Sequence, residues 1–295
     1  MDARVRCMVV LTAVLSMAAS HRTANFLVSS DDPLLARQVA EEAERYRHQL
    51  AISWLGQELP RWQDICPIQV AAGNRLGAGG QTSFTFEEGR PGHWQMFVQG
   101  SRQRILDSVL PHEITHTIFA SHFGRPLPRW ADEGASTTVE HISERRKQHH
   151  LLVQFLTSDR GIPFHRMYRI KEYPQDVRPL YAQGYSLARY LVSHGGRRRF
   201  VDYLETGMEG GDWDLATRQH YGLSNLSQLQ LAWNSWVQRG CPSPEKTLPL
   251  DPLVRQASAK IPATRSAADA SGWRRRNSPL LVPASPSRLP LAIRP

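Results

Sequence analysis

The stretch His112-Glu113-Ile114-Thr115-His116 determines the fold and the chemistry that we predict for this chain. Residues four apart lie on one face of an α-helix, so the imidazoles of His112 and His116 can reach the same metal ion. Glu113 is rotated by about 100° around the axis from His112, which places it to accept a proton from a metal-bound water. This is the HExxH spacing of catalytic zinc helices. We therefore predict a helix that carries a Zn²⁺ site, with Glu113 as general base.

A third protein ligand is expected, because a catalytic zinc normally has three such ligands and one open position. Glu133 lies in Trp130-Ala131-Asp132-Glu133-Gly134, at the start of the next predicted helix. Gly124 and the prolines at 126 and 128 predict a turn that brings this helix back antiparallel to the first. The predicted ligands are therefore His112, His116 and Glu133.

His122 offers an alternative third ligand, because His112, His116 and His122 have the spacing of the HExxHxxGxxH pattern. The glycine that lets the helix break in that pattern is Phe119 here. On a continuous helix His122 would lie about 15 Å along the axis from His112, too far to bind the same ion. We therefore favour Glu133. Asp132 is expected to hydrogen-bond to a ligand or to be solvated.

The remaining periodicity predicts strands in the N-terminal part and helices after it. The glycine-rich segment 73–80 is predicted to be a loop, and 82–99 a hairpin with a turn at 89–92. Pro111 either begins its helix or kinks a longer one that starts near Arg102. The fold class is α+β: a small N-terminal mixed sheet with a helix, followed by a mainly helical C-terminal half. The predicted strands are 25–30, 67–72, 82–86 and 94–99, and the predicted helices are 33–59, 102–122, 130–146, 148–157, 180–194, 197–207, 213–220 and 226–238.

Charge and composition argue against a nucleic-acid-binding protein. The 295 residues carry a net charge of +9, but residues 255–295 contain eight Lys or Arg and one acid and therefore account for +7. The rest of the chain is nearly neutral, so no basic face is expected on the folded part. Residues 241–295 are rich in Pro, Ser, Ala and Arg, which predicts a disordered basic tail.

The N-terminus has the pattern of a signal peptide, with Arg4 and Arg6 before an apolar stretch and small residues near position 20. An uncleaved anchor is the alternative. We expect a leader at 1–20, a catalytic domain at 21–240 and export to the periplasm, cell surface or medium, with no transmembrane segment after leader removal.

Cys66 and Cys241 could pair in an oxidising compartment or remain free thiols.

The two motifs together resemble the gluzincin zinc metallopeptidases, the peptidase MA-like branch that includes thermolysin and aminopeptidase N. The resemblance covers about residues 80–195 and implies an active-site cleft between the two halves. Tyr181-Ala-Gln-Gly184 is similar to the Tyr-x-x-Gly helix of the aminopeptidase N family. That similarity implies that Tyr181 donates a hydrogen bond to the oxyanion of the reaction, with Tyr185 as the alternative.

The chain departs from aminopeptidase N relatives at Gly77-Ala-Gly-Gly-Gln81. Those relatives have Gly-x-Met-Glu-Asn there, and the glutamate that holds a free amine is missing here. The expected function is zinc-dependent hydrolysis of a peptide or protein substrate, with a peptide backbone added to a strand as one mode of binding. The alternatives are a peptide-binding or scaffold protein with a degenerate site and a hydrolase of non-peptide amides or esters. The sequence predicts no oligomeric state.

Overall fold

The computed structural model describes residues 19–242, which form a mixed sheet followed by helices. The sheet has five strands in the order β1-β2-β3-β5-β4. Strands β2, β3 and β5 are parallel, whereas β1 and β4 pair antiparallel at the two edges. The predicted α+β class is therefore confirmed. The strands are β1 (Ala19–Arg22), β2 (Phe26–Ser30), β3 (Cys66–Ala72), β4 (Gly79–Glu87) and β5 (Arg90–Gly100).

The β4–β5 hairpin is longer than the sequence predicts. Its turn is at Glu88-Gly89, where both residues have positive φ, and not at 89–92. Gly79 and Gly80, predicted to lie in a loop, pair with Gln99 and Val98 as the first residues of β4. The weak strand propensity of glycine is outweighed here by main-chain pairing with β5.

Helix α1 (Pro33–Leu55) covers the sheet and has conventional ends. Asp32 caps it by accepting hydrogen bonds from the backbone N–H groups of Leu34 and Leu35. The helix stops four residues before the predicted end at 59, because Gly56 takes the left-handed conformation with φ 72°.

The motif helix is part of a longer helical stretch made of α2 (Arg102–Arg104), a π-helical turn (Ile105–Val109) and α3 (Leu110–Phe123). Pro111 cannot donate a backbone hydrogen bond and its ring crowds the carbonyl four residues earlier. The wider π turn precedes it, and the N–H of Leu110 bonds to the carbonyl of Ile105. Pro111 therefore marks an irregularity within a longer helix. Gly124, with φ 60°, ends α3.

The C-terminal half consists of helices, as predicted, but with different boundaries. The predicted helices 130–146 and 148–157 divide at a different place, because one helix ends at Thr138 and the next runs from Ile142 to Leu156. The side chain of His141 caps this second helix by accepting a hydrogen bond from the N–H of Ser143. The predicted helices 180–194 and 197–207 form one element with a kink at Gly196, where φ is 79° and ψ is 169°. The short α6 was not predicted. The helices are α4 (Arg129–Thr138), α5 (Ile142–Leu156), α6 (Phe164–Met167), α7 (Arg178–Gly210), α8 (Trp213–Tyr221) and α9 (Leu226–Gln238).

Several predictions concern residues outside the described range. The leader and tail lie there almost entirely, although Ala19 and Ser20 belong to β1. Export therefore stays a prediction. Within residues 19–242, no helix has both the length and the apolar character of a membrane span.

Cys66 and Cys241 are buried free thiols, which agrees with the second of the two alternatives for this pair.

Candidate metal centre

Helices α3 and α4 bring the three predicted ligands together. The Nε2 atoms of His112 and His116 lie 3.4 and 3.9 Å from Oε2 of Glu133. One ligand atom from each residue falls within 4.8 Å of the others, so the three residues could hold a metal ion. We call His112, His116 and Glu133 the metal group. The turn after Gly124 reverses the chain, as predicted, and places Glu133 opposite the two histidines.

The outer nitrogen of each histidine is bound by a carboxylate. His112 Nδ1 lies 2.7 Å from Oε1 of Glu140, and His116 Nδ1 lies 2.7 Å from Oδ1 of Asp132. An ionised carboxylate can only accept, so both histidines donate through Nδ1 and leave Nε2 to face Glu133. Hydrogen bonding to a ligand was one of the two roles predicted for Asp132. Glu140 was missed, because it lies between α4 and α5 and belongs to no recognisable spacing.

The donor set fits a zinc ion. Two neutral imidazoles and one carboxylate are a usual ligand set for a catalytic zinc. Four ligands at about 2.0–2.1 Å around a tetrahedral zinc lie about 3.4 Å from each other. The distance from Nε2 of His112 to Oε2 of Glu133 is 3.4 Å, and that from Nε2 of His116 is 3.9 Å. The group is therefore compact enough for all three residues to bind one ion.

Charges within the group are mutually compensating. Burial lowers the pKa of His112, but its hydrogen bonds to Glu133 and Glu140 outweigh that effect and leave the pKa well above its usual value. Burial likewise opposes the influence of Asp132 on His116, whose pKa is raised to about 9. Burial raises the pKa of Glu133, but the two histidines outweigh it and lower this pKa to about 2. The two histidines and the carboxylates of Glu133, Glu140 and Asp132 thus stabilise one another's charges.

Glu113, the predicted base, is buried beside the group and contacts β4. Thr82 Oγ1 donates a hydrogen bond of 2.6 Å to Oε2 of Glu113. A Cβ atom at Gly80 would lie 2.5 Å from Oε1 of the same carboxylate. Glycine is therefore needed at this position for β4 to pass so close to Glu113. Burial raises the pKa of Glu113, whereas His112, His116 and Thr82 lower it, and the pKa stays above its usual value.

Two tyrosines lie against Glu133. Tyr181, predicted from the resemblance, is partly buried, and its pKa is raised first by burial and then by the charge of Glu133. Tyr173 donates a hydrogen bond from its hydroxyl to Oε1 of Glu133. Their rings are nearly parallel, with centroids 6.4 Å apart. Tyr173 was missed, because it lies in the connection between α6 and α7 and no local pattern distinguishes it.

Two glycines set the positions of Glu133 and Tyr181. A Cβ at Gly134 would overlap the carbonyl of Gly184, and a Cβ at Gly184 would lie 2.6 Å from the carbonyl oxygen of Trp130. Helices α4 and α7 therefore touch backbone to backbone at the glycines of the Trp-x-x-Glu-Gly and Tyr-x-x-Gly motifs. This contact holds Tyr181, one turn before Gly184, next to Glu133.

His122, the alternative ligand, is not in the metal group. Its Nε2 lies 2.7 Å from Oε1 of Glu205. Helix α3 continues without a break through Phe119 to Phe123, so His122 points away from the other two histidines. The preference for Glu133 agrees with this arrangement.

A cavity of about 490 Å³ lies between α7 and α8, and none of its lining residues belongs to the metal group. The cleft predicted at the metal group therefore stays a prediction. No family model matches the chain, and no curated protein is similar enough to count as a match.

Proposed function

We propose that this protein is a zinc-dependent peptidase of the gluzincin type. The observation that carries the proposal is the placement of Glu113 beside the group formed by His112, His116 and Glu133. These three residues would hold the zinc ion, which supplies Lewis-acid activation of water and of a substrate carbonyl when bound. Every other step falls to side chains of this chain.

Glu113 acts as the general base and then as the acid. It takes a proton from the attacking water and returns it to the leaving amine. The hydrogen bond from Thr82 to Oε2 fixes the carboxylate and leaves Oε1 for the proton. The buried surroundings also favour proton uptake, because they disfavour the ionised form of Glu113.

Tyr181 donates a hydrogen bond to the substrate oxygen on which negative charge develops. Tyr173 has a different task, because its hydroxyl is already bound to Oε1 of Glu133. That bond leaves Oε2, the oxygen nearest to both histidines, as the metal-binding atom. Tyr173 thus positions the ligand, while Tyr181 assists the reaction.

A peptide is the favoured substrate because β4 is an edge strand of the sheet. Its second and fourth residues, Gly80 and Thr82, contact Glu113. A peptide that adds to the free edge of β4 through main-chain hydrogen bonds runs past the base and the metal group. This geometry suits an extended polypeptide better than a small amide or ester.

The test is hydrolysis of a mixed peptide library by the zinc-loaded protein, with product masses as the readout. Wild type is expected to cleave, to lose activity with a chelator and to regain it with zinc. Glu113→Gln is expected to keep its zinc and to lose about 10²- to 10⁴-fold in rate, the usual contribution of a general base. Cleavage that is unchanged in Glu113→Gln, or no cleavage by a zinc-loaded wild type, would refute the peptidase proposal.

A further inference from the structure

The connection between α4 and α5 carries Glu140, whose Oε1 lies 2.7 Å from Nδ1 of His112. Helix α4 ends at Thr138 and α5 begins at Ile142, so Glu140 belongs to neither helix. A carboxylate that binds the outer nitrogen of a ligating histidine orients its ring. The backbone contacts that hold this connection therefore also determine how His112 is oriented.

The backbone after Glu140 is held by Ser108, whose side chain is buried. The N–H of His141 donates a hydrogen bond of 3.3 Å to Oγ of Ser108. The hydroxyl of Ser108 donates its own proton to Oδ1 of Asp107, at 2.7 Å, which leaves the oxygen to accept from His141. Before this point, the N–H of Glu140 bonds to the carbonyl of Thr137 at 3.2 Å. The connection is thus held on both sides of Glu140.

Ser108 takes the place of a partner that a helix often supplies itself. His141 is the N-cap of α5. In a capping box, a glutamate three residues after the N-cap, the position of Glu144 here, accepts the N–H of the cap residue. Both carboxylate oxygens of Glu144 are instead bound by Nζ of Lys147, at 2.9 and 3.0 Å. The bond to Ser108 therefore joins the start of α5 to the helical stretch that carries the two histidine ligands.

The place of Ser108 in the π turn agrees with this contact. Ser108 lies four residues before His112, so the two side chains lie on the same side of the helical stretch, about one turn apart. They contact two consecutive residues of the connection, because Ser108 bonds to His141 and His112 bonds to Glu140. Single π turns are frequently found at functional sites. This one supplies a polar side chain directly behind a metal ligand.

We propose that Ser108 is a positioning residue of the metal centre. Through the N–H of His141 it holds Glu140 against His112 and so fixes the direction in which Nε2 of His112 points. The inference rests on the zinc site of the proposed function, and it is independent of which substrate is cleaved.

The first experiment measures the zinc affinity of the full chain by chelator competition. Ser108→Ala removes the acceptor of the His141 N–H and should weaken zinc binding about 3- to 10-fold, less than the 10- to 100-fold for loss of a direct partner of a ligand. Ser108→Thr keeps the hydroxyl and should restore most of the affinity. Ser186→Ala is the matched control, because this buried serine accepts the indole N–H of Trp233 at 3.1 Å, and it should leave zinc affinity unchanged.

A double-mutant cycle with Glu140→Ala distinguishes positioning from a general loss of stability. If Ser108 acts through Glu140, Ser108→Ala should weaken zinc binding by less than about twofold when Glu140 is already removed. An equal loss of affinity in both backgrounds would overturn the inference. Zinc binding that is unchanged in Ser108→Ala would do the same.

A second readout needs no zinc. In chelator-treated protein, the Nδ1 proton of His112 should exchange slowly with water in NMR spectra, because it is bonded to Glu140. Ser108→Ala should make this proton exchange faster, whereas Ser186→Ala should not. If wild type binds no zinc but the exchange depends on Ser108, the peptidase proposal fails and the positioning role stands. Exchange that does not depend on Ser108 would overturn the positioning role, even if wild type binds zinc and cleaves peptides.

Discussion

Thr82 is the residue whose side chain contacts the base most directly. Thr82→Val removes the hydrogen bond to Glu113 while keeping the shape of the side chain. A hydrogen bond to a charged group contributes about 1.5–3 kcal/mol, so kcat/KM should fall about tenfold or more with zinc content unchanged. Thr85→Val, on the same strand but bonded to His93, is the matched control and should be neutral. Equal rates in the two variants would exclude this role of Thr82.

Tyr173 and Tyr181 should respond differently to the loss of a hydroxyl. Tyr173→Phe removes the bond to Oε1 of Glu133 and should weaken zinc binding by about 10- to 100-fold, as loss of a partner to a ligand commonly does. Tyr181→Phe should lower kcat and leave zinc affinity nearly unchanged. Chelator competition and steady-state rates measure the two effects. If Tyr173→Phe lowered kcat and Tyr181→Phe weakened zinc binding, the roles assigned to the two tyrosines would be wrong.

Residues of the site were predictable where the spacing is local. His112, Glu113 and His116 share one helix, and Glu133 follows after one short turn, so helical geometry was sufficient. Tyr173 and Glu140 reach the site from a connection and from a helix boundary, where side-chain direction depends on tertiary packing. No periodicity identifies such residues in a single sequence.

At the scale of elements, the contact between α4 and α7 is the feature on which Glu133 depends. Gly134→Ala forces a Cβ into the carbonyl of Gly184, so the helices must separate. We expect a loss of stability of about 1–3 kcal/mol together with weaker zinc binding. Gly210→Ala is the control, since this helical glycine has open space around it and should be neutral or slightly stabilising. Thermal unfolding and zinc titration give the comparison, and an unperturbed Gly134→Ala variant would contradict the assignment.

Helices were easier to predict than their ends. The apolar periodicity located the long helices, but the break between α4 and α5 has neither Gly nor Pro, and His141 supplies the cap. Gly79 and Gly80 were assigned to a loop on propensity, although pairing with β5 makes them strand. Cross-strand pairing joins residues that are distant in sequence, so whether a glycine segment forms a strand or a loop cannot be predicted from its local sequence.

At the scale of the whole molecule, the metal group connects separate parts of the fold. His112 and His116 come from α3, Glu133 from α4, and the base beside them contacts β4. An ion that binds only the folded state stabilises it by about 2.7 kcal/mol at a free concentration of 100 Kd. Zinc should therefore raise Tm by roughly 5–10 °C for a domain of this size. Calorimetry with and without zinc measures this, and an equal Tm in both conditions would contradict it.

The class of the fold was predictable as a whole, whereas its topology was not. All predicted strands, with one helix among them, precede a long run of helices, which indicates α+β, and the structure confirms this order. The strand order β1-β2-β3-β5-β4 depends on which strands pair across long separations, which hydrophobic alternation does not encode.

The most direct test is zinc content by elemental analysis of the purified full chain, beside its Glu133→Ala and His122→Ala variants. We predict about one zinc per chain in wild type, as for a catalytic site of three ligands, with zinc retained in His122→Ala and lost in Glu133→Ala. Absence of zinc from wild type after reconstitution, or loss of zinc in His122→Ala with retention in Glu133→Ala, would contradict a metal site formed by His112, His116 and Glu133.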